Sequence, residues 1–295
     1  MAVISFTSCS ADSDSSYSGI DESVIENADS QTEAPFSVVL KAYSDNKDIT
    51  VKGDVDQTTL FVFDQNGDYY TQVSLDKTYL LQAKPVEISC PGSKQITVVA
   101  WAGLSSDSEN ISAMSKANII SDLQVSLKQN NGVAAALPGD LFYGQITLKN
   151  TATKAGVETL KIERKVSSIS LITKGVIKML DSREGNFYYK VKKTKASFDH
   201  NGKLTGEEIE YIIPATMDAK GNVVADNTAI LPASDVTIEL YKDDNMILSS
   251  KNVENSEKVS VNEGEQSEIT FDLSKNNCNI VVADWGTVIT HVTIG

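Results

Sequence analysis

From Phe36 onward, apolar residues come in short runs and at alternate positions, the spacing of strands rather than helices. "LFVF" (Leu60–Phe63) and "QITVVAWAG" (Gln95–Gly103) are continuous apolar runs of the kind found in strands buried on both faces. Alternation is clean elsewhere. Val236, Ile238 and Leu240 share one face of "VTIELY", Ile269, Phe271 and Leu273 share one face of "EITFDL", and Leu123, Val125 and Leu127 repeat the pattern. Helical periodicity is confined to "ISAMSKANII" (Ile111–Ile120), a short, weakly amphipathic segment expected to cap one end of a sandwich.

Punctuation between these segments is that of hairpins. "FDQNGDYY", "FDHNGKL" and "MDAKGNV" each place an Asp ahead of an Asn-Gly or Lys-Gly pair. The Asp side chain closes the turn and the Gly takes the positive φ that a tight reversal demands. Short strands and frequent turns predict an all-β protein of antiparallel sheets packed as sandwiches. At 295 residues the chain exceeds what one core fills, so two domains are expected. The boundary is placed near 165, inside "ETLKIERKVSSISLITKG", where strands on either side of Arg164-Lys165 run almost without interruption. The assignment is residues 1–9 as the remnant of a lipoprotein signal, 10–35 as a flexible acidic tether, 36–165 as an N-terminal β-sandwich domain and 166–295 as a C-terminal β-sandwich domain. A faint echo between "ITVVAWAG" and "NIVVADWG", each with one tryptophan, is consistent with two related halves.

Charge changes the picture at the start of the chain. The net charge is −14, and the first forty residues hold seven acids and no base. With no basic patch there is no counterion release to drive nucleic-acid binding. No stretch approaches the ~20 apolar residues of a membrane-spanning helix. Residues 10–35 are rich in Ser, Asp, Asn and Glu and cannot bury enough surface to offset chain entropy.

Three cysteines make neither a disulfide framework nor a metal set. Cys90 and Cys278 lie far apart in sequence, and two unpaired, at least partly buried thiols are favoured over a bridge. Cys9 follows "VISFTS", the tail end of an export signal whose basic start and most of whose apolar middle are missing. It resembles the truncated lipobox of a bacterial lipoprotein, in which the cysteine becomes the acylated N-terminus, although Phe6 stands where Leu is usual. The competing reading is an incidental cysteine in a disordered extension. The tether favours the anchor, because a flexible segment after a lipidated cysteine lifts a folded body off a membrane, and two or three acyl chains hold it durably.

Catalytic chemistry is scarce. Of two histidines, His200 sits at a hairpin tip and His291 is out of phase with its apolar neighbours, so both are expected to face solvent. No G-x-S-x-G motif occurs. "DQNGD" (Asp64–Asp68) and "DHNGKLTGEEIE" resemble calcium loops, but their glycines fall fourth rather than sixth, the hairpin arrangement. No cofactor, metal or small-molecule substrate is implied. Tyr69, Tyr70, Phe187, Tyr188 and Tyr189 are candidates for a glycan platform, yet adjacent strand residues point to opposite faces and cross-strand packing is the simpler role.

Taken in order, "TLFVFDQNGDYY", "KQITVVAWAG", "LPGDLFYGQITL" (Leu137–Leu148), "IERKVSSISLI" and "VVADWG" resemble the FimB-type anchor proteins of the fimbrillin (type V pilus) superfamily. The resemblance implies two tandem transthyretin-like sandwiches and a surface lipoprotein, acylated at Cys9, that holds a fimbria to the outer membrane. It also implies partners among the fimbrillin shaft or accessory pilus subunits, joined by β-strand complementation. In polymerising members an arginine-specific protease frees an N-terminal strand. Here the first arginine is Arg164, so that cut has no site, which favours the anchor position. The alternative is a surface lipoprotein that captures glycans through residues such as Tyr69 and Tyr188.

Overall fold

The computed structural model describes residues 34–150, 156–180, 182–256, 259–287 and 289. Six strands open the described chain: β1 (Phe36–Ser44), β2 (Lys47–Asp48), β3 (Gln57–Phe63), β4 (Tyr69–Asp76), β5 (Val86–Ile88) and β6 (Gln95–Ala102). Four short ones follow, β7 (Glu109–Ile111), β8 (Val125–Leu127), β9 (Gln129–Asn130) and β10 (Val133–Ala134). Next come β11 (Phe142–Lys149), β12 (Val157–Arg164), β13 (Ser167–Lys174), β14 (Phe187–Phe198), β15 (Leu204–Met217) and β16 (Val223–Ile230). The series ends with β17 (Ala233–Lys242), β18 (Asn245–Ser249), β19 (Val259–Val261), β20 (Glu265–Asp272) and β21 (Asn277–Asp284). Among the described residues the one α-helix, α1 (Lys77–Leu81), is started by Asp76, whose carboxylate accepts from the Thr78 backbone N–H at 2.8 Å.

Among the described residues the strands form two sheets. The first runs β2-β1-β12-β11-β6-β3-β4, with β5 also on β1; the second runs β18-β17-β14-β15-β16-β13-β20-β21, with β7–β10 and β19 added at its margins. The protein is all-β, as expected, but neither sheet is purely antiparallel. β1 lies parallel to β12, and β13 parallel to β20. Hairpin signals report only neighbours in sequence, whereas these partners are about a hundred residues apart.

The runs "LFVF" and "ITVVAWA" are apolar throughout because β3 and β6 are buried on both faces, while β1, β4, β11 and β12 of the same sheet alternate. Leu60 and Val62 of β3, with Val98 and Ala100 of β6, join a core enclosed by the first sheet. Phe61, Phe63, Val99 and Trp101 point the other way, into a core shared with Tyr189, Tyr211, Ile238 and Phe271 of the second sheet. A fully buried side chain of this size contributes roughly 1.5–3 kcal/mol, so alternate residues of one strand bind both layers.

All three anticipated hairpins form, and with one geometry. Asp64, Asp199 and Asp218 each donate their N–H to the carbonyl four residues on, at 2.9, 2.9 and 2.8 Å, and accept from Gly67, Gly202 and Gly221 at 3.0, 2.9 and 3.0 Å. Each carboxylate also accepts from the N–H four residues on, at 2.9–3.0 Å. The acid groups are therefore spent on their own turns.

The segment expected to be helical is not. Ile111 ends β7, Ile120 begins a 3-10 turn, and between them side chains compete for the backbone. Asn118 Oδ1 accepts from the Ser115 N–H at 2.9 Å, and Ser112 Oγ accepts from the Gln124 N–H at 2.9 Å. Ser and Asn offer the backbone such alternatives to a helix. The segment fastens the β3–β4 hairpin instead, through Tyr69 N–H to Asn118 O at 2.9 Å and Ile120 N–H to Gly67 O at 2.8 Å.

Candidate functional site

β12 alternates inward with Leu160, Ile162 and then Arg164, so an arginine stands where the strand calls for an apolar residue. It is 4% exposed. A buried guanidinium is costly unless every N–H finds a partner. Nε and Nη2 grip Asp140 at 2.6 and 2.7 Å, and Nη1 donates to Ser44 Oγ at 2.7 Å. Its central carbon lies over two aromatic rings, 4.8 Å from the centroid of Phe142 and 4.5 Å from that of Trp285. Ser44 comes from β1, Asp140 from the loop before β11, and Trp285 from the turn after β21. One side chain thus joins three distant parts of the chain where the two sheets meet.

Asp140 is positioned by its own scaffold. Gly139 N–H donates to Glu109 Oε1 at 2.8 Å, while Glu109 Oε2 accepts from the Ser105 N–H at 2.8 Å and Ser108 Oγ at 2.9 Å. The loops of Gly103 and Gly139 cross so closely that a Cβ on Gly139 would stand 2.3 Å from the Gly103 carbonyl oxygen. Burial raises the Asp140 carboxyl above the usual carboxylate range, and the hydrogen bonds and charge of Arg164 pull it back.

The connection between β12 and β13 is two residues, Lys165 and Val166, and both are tied: Lys165 N–H to Leu141 O at 2.8 Å, Gly264 N–H to Val166 O at 2.9 Å. The β14–β15 hairpin adds a second brace across the junction. Its turn lies against Tyr143, whose hydroxyl donates to the His200 carbonyl at 3.0 Å. Trp101 packs 5.0 Å from Tyr143 and 5.5 Å from Phe198, centroid to centroid. The contact uses the His200 main chain; the ring stays at the exposed tip of the turn, with Nε2 3.0 Å from Asn201 Nδ2.

Other candidates fall into structural roles. Phe187 and Tyr189 are buried, and the Tyr189 hydroxyl donates to Val223 O at 3.0 Å. Tyr188, on the opposite face, stacks on its cross-strand partner Tyr241 at 5.2 Å with planes within 1°. Tyr69 meets Phe63 edge-on at 6.0 Å, and Lys116 Nζ lies 4.2 Å from the Tyr70 ring centroid. Cys90 and Cys278 are buried free thiols in different cores, as favoured. Trp101 is central in the first sheet, whereas Trp285 follows the outermost strand of the second, so the two tryptophans occupy unlike positions. No cluster of His, Cys, Asp and Glu among the described residues is arranged to hold a metal. Cys9 and His291 lie outside the described residues.

Strands β3 and β6 buried on both faces, acids held in their own turns and a cation held at the connection between the sheets describe an all-β protein whose charged groups are engaged in its own fold. The family is specific. The model for fimbrillin-A associated anchor proteins Mfa1 and Mfa2 matches residues 28–291, and the chain belongs to that family. The major fimbrium anchoring subunit FimB of Porphyromonas gingivalis is 24% identical over 261 residues, 84% of each chain. The fimbrial anchor protein Mfa2 of P. gingivalis has a similar fold, with TM-score 0.61 and 16% identity, covering 85% of this chain and 98% of Mfa2. A candidate polysaccharide-binding protein of Bacteroides thetaiotaomicron is also alike, with TM-score 0.67 and 18% identity, over 88% of this chain and 99% of that one. Membership places the chain among fimbrium-associated structural proteins rather than enzymes.

Proposed function

We propose that this protein is the lipid-anchored footing of a fimbria, held in the outer membrane at the cell surface by acyl chains on Cys9 and joined to fimbrillin shaft or accessory subunits by β-strand complementation. In this reading the two sheets are tandem transthyretin-like modules meeting near residue 165, with Glu109–Ala134 crossing from the first half to pack on the second. The observation that carries it is the locked first strand. β1 pairs with β12 over seven residues and buries Phe36, Val38, Leu40 and Ala42, so it is not a strand held ready for release. Arg164, the sole arginine before Arg183, is enclosed in the clamp, leaving an arginine-specific protease no route to free β1. Such a subunit suits a terminal position. An edge fit for strand addition is β21 beyond its bridge to Glu254 at Asn277: it pairs with β20 on one side, carries no charge from Asn279 to Ala283 and leaves Val282 52% exposed.

The test is a Cys9→Ala substitution in the gene carrying a full secretion signal. Labelled fatty acid enters the wild-type protein and not the variant, and the variant leaves the membrane fraction with its filaments shed into the medium. A wild-type protein that never takes up label removes the lipid from this account. A variant that remains surface-bound with intact filaments removes the anchoring.

A further inference from the structure

Beside the Arg164 clamp lies a cleft of about 670 Å³, between the β1–β2 region on one side and the turn after β21 on the other. Its volume falls within the roughly 300–1,000 Å³ of small-molecule sites. We propose that this cleft binds a neutral saccharide, a role beyond anchoring and independent of Cys9.

The lining decides the ligand class. Lys47, Lys52 and Arg164 face Asp54, Asp140 and Asp284, three bases against three acids, so the cleft carries no net charge. An anionic ligand would meet three carboxylates, and a cationic one three bases. Among the described residues Ile49 is the sole aliphatic one in the lining, a poor match for an acyl chain. Arg164 is bound to Asp140 and Lys47 to Asp284, while Lys52 and Asp54 belong to neither pair. The site therefore presents an ammonium donor and a carboxylate acceptor together. The hydroxyl group both donates and accepts, and a ring bearing several of them matches that mixture.

Trp285 supplies the rest. Half-buried, it rests on Arg164 and lines the cleft, offering a flat apolar ring with a polar edge. Such amphipathic rings suit ligands with one apolar and one polar side, as pyranoses have. The Tyr188–Tyr241 pair does not compete for this role, because neither ring lines the cleft.

Purified full-length protein is titrated calorimetrically with glucose, galactose, mannose and N-acetylglucosamine, with N-acetylneuraminic acid as the anionic control and an uncharged Ser-Gly hexapeptide as the peptide control. At least one neutral sugar binds and shifts tryptophan emission, which reports Trp285 because Trp101 is 1% exposed. Trp285→Phe, which keeps a ring over Arg164, and Asp54→Asn each weaken that binding tenfold or more, with unchanged melting curves; Tyr188→Phe binds as wild type. The proposal is overturned if no neutral sugar binds, if the anionic sugar or the peptide binds instead, or if the cleft variants keep wild-type affinity.

Discussion

Arg164 and Asp140 meet in a two-pronged ion pair, 2.6 and 2.7 Å, at the point where the chain leaves one sheet for the other. The guanidinium is almost wholly enclosed and the carboxylate about one-third exposed. Deleting one partner of such a pair costs more than the pair contributes, because the other is stranded. Arg164→Ala is expected to lower stability by about 3 kcal/mol, near the low end for broken buried pairs because water still reaches Asp140. Replacing both residues with apolar ones, as in Arg164→Met with Asp140→Leu, should recover most of the loss. Urea unfolding of the single and double variants measures both, and equal losses in the two would disprove the stranded-charge account.

The β14–β15 turn offers a second measurable coupling. Gly202 has φ +66°, and a Cβ added there would lie 2.4 Å from the Tyr143 ring. Gly202→Ala therefore combines backbone strain with a clash, and a loss of about 1–3 kcal/mol is expected. In a Tyr143→Ala background the clash disappears and only the strain remains. A double-mutant cycle by thermal unfolding should show the two substitutions non-additive by at least about 0.5 kcal/mol. Additive losses would mean that the turn does not press on Tyr143.

Much of this arrangement was legible in the sequence, and the remainder had physical reasons to stay hidden. Val236, Ile238 and Leu240 alternate because one face of β17 is buried, and any reader of periodicity finds them. Leu273, expected to extend the Ile269–Phe271 series, lies just past the end of β20 and is only half-buried. "ITVVAWA" announces burial but cannot say that its odd and even residues enter different cores. The parallel pairs β1–β12 and β13–β20 have no local signal, because their partners are about a hundred residues apart. Arg164 was visible as the first arginine and as a junction residue. Its phase, two positions after Ile162 on the inward side of β12, was the available sign of a buried clamp.

Arginine placement leads to a proteolytic prediction. The chain has two arginines. Arg164 is enclosed, whereas Arg183 lies in the exposed run Ser182–Asn186 between β13 and β14. An arginine-specific protease acting on the native protein is expected to cut after Arg183 alone. The two pieces should still co-elute in gel filtration, since β13 pairs with β16 and β20, and β8 with β14, across the cut. Early cleavage after Arg164, or separation of the fragments without denaturant, would contradict the fold.

The thiols give the pH-dependent case. Cys278 is 5% exposed in the shared core, and burial pushes its thiol up to about 11. Cys90 is equally enclosed and donates to Ser93 Oγ at 3.3 Å. In a Cys9→Ala background neither thiol should react with a thiol reagent at about pH 8 until the protein unfolds, because the thiolate is the attacking species and both are shielded. The stability consequence has a definite sign. A folded-state pKa above the ordinary value of 9.0 means that the neutral thiol is what the core accepts. Its contribution is full below pH 9 and is lost as pH rises through about 11, where the unfolded chain ionises first. Denaturation midpoints should therefore fall between pH 9 and 11, and Cys278→Ala, though less stable throughout, should flatten that fall. An identical slope in the variant would assign the alkaline loss to other groups.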